Sequence, residues 1–197
     1  MVFDGIILSF IVGFLRKGNV RALAHLKLKW GWMFPLLLAI ELIVFFLQNH
    51  YKFLGKVSGS IYIAVYVIGL IFLWLNRKNP GFLLILAGVF LNFLVMVLNG
   101  GRMPVSLEAA TVLDPGYVTA LKEGLYAKHT MLTSSTHLGI LGDIIPITKP
   151  YPRTQIISIG DIIMNIGIFF FIQHLMIHHP LSKGTKSVSL SLKGGEK

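Results

Sequence analysis

The sequence predicts an all-α fold, a polytopic membrane helix bundle of about five spans with a short outer helix and a re-entrant-like apolar segment. Long apolar stretches recur at residues 2–15, 32–47, 61–75, 81–98 and 156–177. The stretch 81–98, GFLLILAGVFLNFLVMVL, carries no charge and makes about 27 Å of helix, close to the hydrocarbon thickness of a bilayer. Hydrophobic residues make up 54% of the 197 residues and charged ones 13%, about half the charge a water-soluble surface carries.

Two function classes drop out early. The net charge of +10 would suit nucleic acid, but the basic residues cluster at the ends of apolar stretches, which is the membrane pattern. With no cysteine, disulfides, thiolate metal sites and a Cys nucleophile are excluded. No basic residue precedes the first apolar stretch, so a removable signal peptide is not expected there.

Each element follows from its residues. The first stretch, 2–15, is short, contains Asp4, and is the one whose full crossing is least certain from length. Arg16 to Trp30 repeats Arg21, His25 and Lys29 every four residues; this reads equally as a basic surface helix on anionic lipid or as topology charges on a loop. Pro35 falls in the first turn of the second span, where a missing N–H costs little. Residues 1–179 form one membrane-embedded domain, and the Ser-, Lys- and Gly-rich tail 180–197 is expected to be disordered.

Lys and Arg set the orientation. Eleven lie in the first loop, the turn at Arg77 and Lys78, and the tail; only Lys52 and Lys56 lie in the other short loop. The positive-inside rule then puts the N-terminus outside and the tail in the cytoplasm of a multi-pass cell-membrane protein.

The segment 99–155 is outer and too apolar for a free loop. Asp114-Pro115-Gly116 reads as a helix start, with Val118, Leu121 and Leu125 along one side and an end near Lys128. Leu138 to Ile147, interrupted by Asp143, is too short to cross and too apolar to float. It is expected to pack on the outer mouth of the bundle.

Polar side chains inside spans cost about 2.5–3.5 kcal/mol at the helix centre when charged, so each needs a partner. Glu41 lies near mid-depth of the second span, and Asn92 and Asn99 share a face of the fourth. Ser158, Asp161 and Asn165 form one stripe of the fifth. Arg102 follows Asn99-Gly100-Gly101, where two glycines permit a sharp turn and a close approach. The expectation is an outer-mouth network of Arg102, Asp143 and Asp161 joined by Asn99 and Ser158. A structural clamp explains it better than catalysis does, and Asn92 and Asn165 read as interhelical glue. Glu41 reads as a proton or cation site, or as a protonated acid bonded to a neighbouring helix.

A catalytic alternative has its own residues. His129, Ser134, Ser135, His137 and Asp143 include the groups of a Ser–His–Asp arrangement, without a Gly-x-Ser-x-Gly elbow. His129 and His137 lack any metal-binding string, and His174, His178 and His179 complement the end of the last span. No metal, nucleotide or other cofactor is expected.

The motifs NGGRMP at 99–104, LGDIIP at 141–146 and SIGD at 158–161 together resemble an uncharacterised bacterial multi-span membrane-protein family, a domain of unknown function. The resemblance implies a small bacterial membrane protein and no particular activity. The function expected is a non-enzymatic binding or structural membrane module with a polar outer mouth, its partners membrane lipids and another membrane protein. The alternatives are a membrane-embedded hydrolase or transferase acting on a lipid-linked or envelope substrate, using Asp143, Asp161, Arg102, His129 or His137, and a small carrier using Glu41.

Overall fold

The computed structural model describes residues 2–48, 50–113, 115–123 and 128–178. The chain is mostly helical. The helices are α1 (Val2–Leu15), α2 (Met33–Leu47), α3 (Lys52–Leu75), α4 (Phe82–Leu98), α5 (Leu107–Ala110), α6 (Pro115–Lys122) and α7 (Ile159–His178). By length and composition two helical stretches, Phe53–Leu75 and Ile159–Ile177, are long and apolar enough to cross a membrane; the apolar stretches of α1, α2 and α4 are shorter.

The five long helices alternate in direction. Gly5 of α1 lies against Asn165 of α7 and Gly13 against Met176, so α1 and α7 run parallel. Gly81 lies against Gly167 and Gly88 against Gly160, so α4 and α7 run antiparallel. The basic segments therefore gather at one end. There Asn76 bonds the backbone of Lys29 in both directions, at 2.8 and 3.0 Å. Arg16 donates to the Gln173 side chain at 3.2 Å, and the Asn19 backbone N–H donates to the Met176 carbonyl at 2.8 Å.

The closest helix contact is the α4–α7 seam. A Cβ on Gly167 would lie 2.6 Å from the Ile85 backbone nitrogen and 2.7 Å from the Gly81 carbonyl oxygen. One on Gly88 would lie 2.6 Å from the Met164 nitrogen. Without side chains at these positions the two backbones can meet directly. In each helix the two glycines are seven residues apart, which keeps them on one face.

At the other end a small β cap covers the bundle. Strand β1 (Met103–Val105) pairs in parallel with β2 (His129–Met131), and β3 (Ile145–Ile147) pairs antiparallel with β4 (Gln155–Ile157). Asp143 joins the free side of β1, its N–H donating to the Pro104 carbonyl at 2.8 Å and its carbonyl accepting from the Ser106 N–H at 3.0 Å.

Several sequence expectations need correction. The all-α reading omitted the four strands, which are three residues each and too short to show an alternating pattern. The third span starts at Lys52, earlier than residue 61, so Lys52 and Lys56 belong to the helix and not to a loop. The last helix begins at Ile159 because residues 155–157 pair with β3. The Leu138 to Ile147 stretch, expected as a re-entrant-like segment, is a 3-10 turn over Gly139–Leu141 followed by β3, in which residues 145–147 pair with β4. The basic segment after α1 holds only a 3-10 turn, Val20–His25, capped by the Asn19 side chain. Buried Ala22 interrupts the surface-helix pattern. Asp114, Leu125, His179 and the tail lie outside the described residues.

Candidate functional site

The ionisable residues of the cap and the helices meet where the β cap joins the bundle. Three joints build the site, each linking residues far apart in sequence.

The first is the start of α7. The Asp161 N–H donates to Ser158 Oγ at 3.0 Å, and the Ser158 N–H donates to Asp161 Oδ2 at 3.2 Å. This reciprocal pair is a capping box, with Asp in the position Glu or Gln usually takes. Asn92 of α4 closes it: Asn92 Nδ2 donates to Asp161 Oδ1 at 3.0 Å, and Ser158 Oγ donates to Asn92 Oδ1 at 2.8 Å. Gly160 makes room, since a Cβ there would overlap the Asn92 amide. Asn165 Nδ2 donates to the Asp161 carbonyl at 2.8 Å, and its Oδ1 lies against Gly5 of α1.

The second joint ties the cap to mid-α2. Lys128, just before β2, pairs with Glu41, both side chains less than a third exposed. The Lys128 ammonium also lies 5.7 Å from the Tyr62 ring centre. The Tyr62 hydroxyl donates to Gln48 Oε1 at 3.0 Å. A carboxylate in the middle of an apolar helix thus has a counter-charge.

The third joint crosses β1. His129 Nε2, from β2 on one side of it, and Asp143 Oδ2, from the single bridging residue on the other, approach to 3.7 Å. Asp143 is only 9% exposed. Burial pushes its carboxyl up to about 8, the Asp161 charge adding to this and Lys128 opposing it. Burial, with the Lys128 charge beside it, lowers the His129 imidazole to about 4. Both shifts favour the neutral form of the group, and the 3.7 Å separation is longer than a hydrogen bond.

Asp161, Ser158, Asn92 and Asn165 thus come together, and Asp143 sits with His129. Asn99 works elsewhere: its amide donates to the His137 carbonyl at 2.9 Å and accepts from the His137 N–H at 3.1 Å, pinning the cap to the end of α4. The His137 side chain is exposed, and the Ser135 hydroxyl pairs with Thr133. Gly100 and Gly101 adopt φ of 69° and 79°, and Gly101 packs directly on Gly59 of α3. Among the described residues Arg102 enters no ion pair with either aspartate; His129 approaches Asp143, and Asn92 and the Ser158 N–H hold Asp161. Among those residues no group of three or more His, Asp or Glu side chains is arranged to hold a metal.

Sequence reasoning missed Lys128, Tyr62 and Gln48 as site residues. Glu41 signalled only that some partner was needed; Lys128 lies 87 residues away, and no local pattern links the two.

A family model matches residues 25–173, which hold most of this site. The chain belongs to DUF5317, a family of unknown function. Within those bounds fall the hydrogen-bonded and ion-paired residues of all three joints, the α4–α7 seam from Gly81 to Gly167 and every strand of the cap. An uncharacterized protein of Thermotoga maritima is 29% identical over 171 residues, covering 87% of this chain and 89% of that protein. No solved structure matches the chain.

Proposed function

We propose that the protein is a multi-pass bacterial cell-membrane protein and a non-enzymatic binding or structural module. All five long helices cross, the β cap lies outside and the basic end faces the cytoplasm. The observation that carries this is an inside-out distribution of polarity. Leu42, Ile43 and Phe46 of α2, Ile71 and Trp74 of α3, and Leu83 and Phe90 of α4 are exposed. Asn92, Gln48, Ser158 and Gln173 are buried and bonded. Water would not tolerate so large an apolar flank, whereas lipid requires it, with polar groups satisfied inside. The gathering of Lys27, Lys29, Arg77 and Lys78 at the end away from the cap supports the orientation.

The non-enzymatic reading rests on how the polar groups are used. Ser158, Asp161 and Asn92 hold the start of α7, Lys128 neutralises Glu41, and Asn99 holds the His137 backbone. Each group fastens the cap to the helices. Pairing of Glu41 with Lys128 also weighs against a carrier that needs Glu41 accessible.

The absence of cysteine makes the test clean. Single cysteines are placed at Ser135 in the cap and at Lys78 in the α3–α4 turn, both exposed. An impermeant maleimide on intact cells, with the outer membrane permeabilised, labels the first and reaches the second only after lysis. The reverse pattern overturns the orientation, and recovery of the protein in the soluble fraction overturns the membrane reading.

The His129–Asp143 approach supports a second reading, a hydrolase or transferase acting on a lipid-linked or envelope substrate. It predicts turnover by purified protein that is lost in His129→Ala and Asp143→Asn while folding is retained.

A further inference from the structure

Between α3 and α4, on the face turned away from α7, runs an open groove of about 490 Å³. Its walls include Leu70 and Trp74 from α3 and Leu83, Ala87 and Phe90 from α4. Leu83 to Phe90 covers about 10 Å along the helix, so the groove runs from the basic end along the exposed flank of the bundle.

The chemistry of its mouth is different. Arg77 donates to the Trp74 carbonyl at 2.8 Å, and its guanidinium sits 4.2 Å from the Trp74 ring centre. A cation is thus fixed over the aromatic lip, with further N–H donors available. Lys78 follows it, exposed, and the Lys29 backbone is bonded to neighbouring Asn76. No Asp or Glu occurs between Asp4 and Glu41, between Glu41 and Glu108, or from residue 162 to 195. The mouth is cationic, with no nearby acid in sequence to neutralise it.

We propose that this groove is a binding site for an anionic phospholipid, one acyl chain lying against Leu70, Ala87 and Phe90 and the phosphate against Arg77 and Lys78. The proposal rests on the membrane reading above. Trp74 marks the depth, since an indole prefers the boundary between headgroups and chains. A hydrocarbon tail fits an all-apolar wall, and an anionic headgroup matches paired cations at its end. Neither half of the molecule alone would use both features.

The test uses full-length protein, purified in detergent and stripped of lipid, with binding read by native mass spectrometry. Phosphatidylglycerol and phosphatidylcholine with identical acyl chains are compared. The anionic lipid should bind about tenfold tighter or more, since each basic side chain beside an anionic headgroup contributes roughly a factor of five. Joint Arg77→Gln and Lys78→Gln substitution should bring phosphatidylglycerol down to the phosphatidylcholine level. Ala87→Phe, which fills the groove from an exposed position, should weaken both lipids, while Ala39→Phe on the exposed side of α2 changes neither. Glycerol phosphate should not displace the lipid; displacement would mean that the headgroup alone is recognised and would overturn the assignment of the groove. Equal binding of the two lipids by the wild type overturns the proposal, as does unchanged binding in the Ala87→Phe variant. Should that variant not fold, the Arg77 and Lys78 pair decides. Loss of lipid preference in a protein whose labelling pattern matches the orientation above counts against the groove alone.

Discussion

Replacing Gly167 by alanine tests the close backbone contact between α4 and α7. The added Cβ would lie 2.6 Å from the Ile85 nitrogen and 2.7 Å from the Gly81 oxygen, both backbone atoms of the opposing helix region. Neither can rotate away, so α4 and α7 must separate by roughly 0.8 Å, enough to forfeit a quarter to a half of the dispersion energy along the seam. The same shift stretches the Asn92 bonds to Asp161 and Ser158, now 3.0 and 2.8 Å. Overpacking of this kind costs about 3 kcal/mol, and the helix preference of alanine over glycine returns about 1 kcal/mol. The net loss of about 2 kcal/mol corresponds to a fall in Tm of about 4–8 °C for a chain of this size. Gly69→Ala is the matched control: it sits within α3 with nothing within 4 Å of its added Cβ. It should raise Tm by about 2–4 °C through helix preference alone. Thermal unfolding of both variants in one detergent reads the difference. A Gly167→Ala protein as stable as wild type, or a Gly69→Ala protein that falls as far, refutes the close-packed seam.

Further outcomes follow from the three joints. Ser158→Ala removes an N-cap and its bond to Asn92, so Tm should drop by about 2–4 °C or more, from roughly 1 kcal/mol of cap stabilisation. Asp161→Asn should lower folded yield, since the capping carboxylate is lost. Glu41→Gln or Lys128→Met alone should destabilise, and the double variant should recover part of the loss, giving a coupling of about 0.5–3 kcal/mol in a thermal double-mutant cycle. The pH dependence has a definite sign. Asp143 is raised from 3.8 to about 8, so its contribution is complete below pH 4 and declines as pH rises toward 8. His129 is lowered from 6.5 to about 4, so the folded state binds fewer protons there and stability rises over that interval. The two slopes oppose each other up to about pH 6.5, and above it Asp143 acts alone. Tm should therefore fall between pH 6.5 and 8.5 in wild type and stay level in Asp143→Asn, measured by thermal unfolding at fixed ionic strength.

The Asn99-Gly100-Gly101 turn was legible from the chain because its cause is local. Two adjacent glycines permit positive φ and a close approach, and both occur, with Gly59 as the surface met. The capping box was half legible: Ser158 and Asp161 stand three residues apart, but the sequence reading took them for a stripe and not for the start of a helix. The seven-residue spacings of Gly81 with Gly88 and Gly160 with Gly167 were present too, and they signal the seam. Nothing local announced the strands, because three-residue pairings such as Ile145–Ile147 with Gln155–Ile157 depend on a partner brought by the chain's return.

Sequence alone settled the helical class, the apolar flanks and the need of Glu41 and Asp161 for partners, since hydropathy and desolvation cost act on each residue where it stands. Tertiary structure chose those partners. Lys128 reaches Glu41, Asn92 reaches Asp161 and His129 meets Asp143 across separations of 87, 69 and 14 residues. Such pairings depend on how closely the helices approach and on which strand lies beside β1, quantities set by glycine contacts and backbone bonding between distant segments.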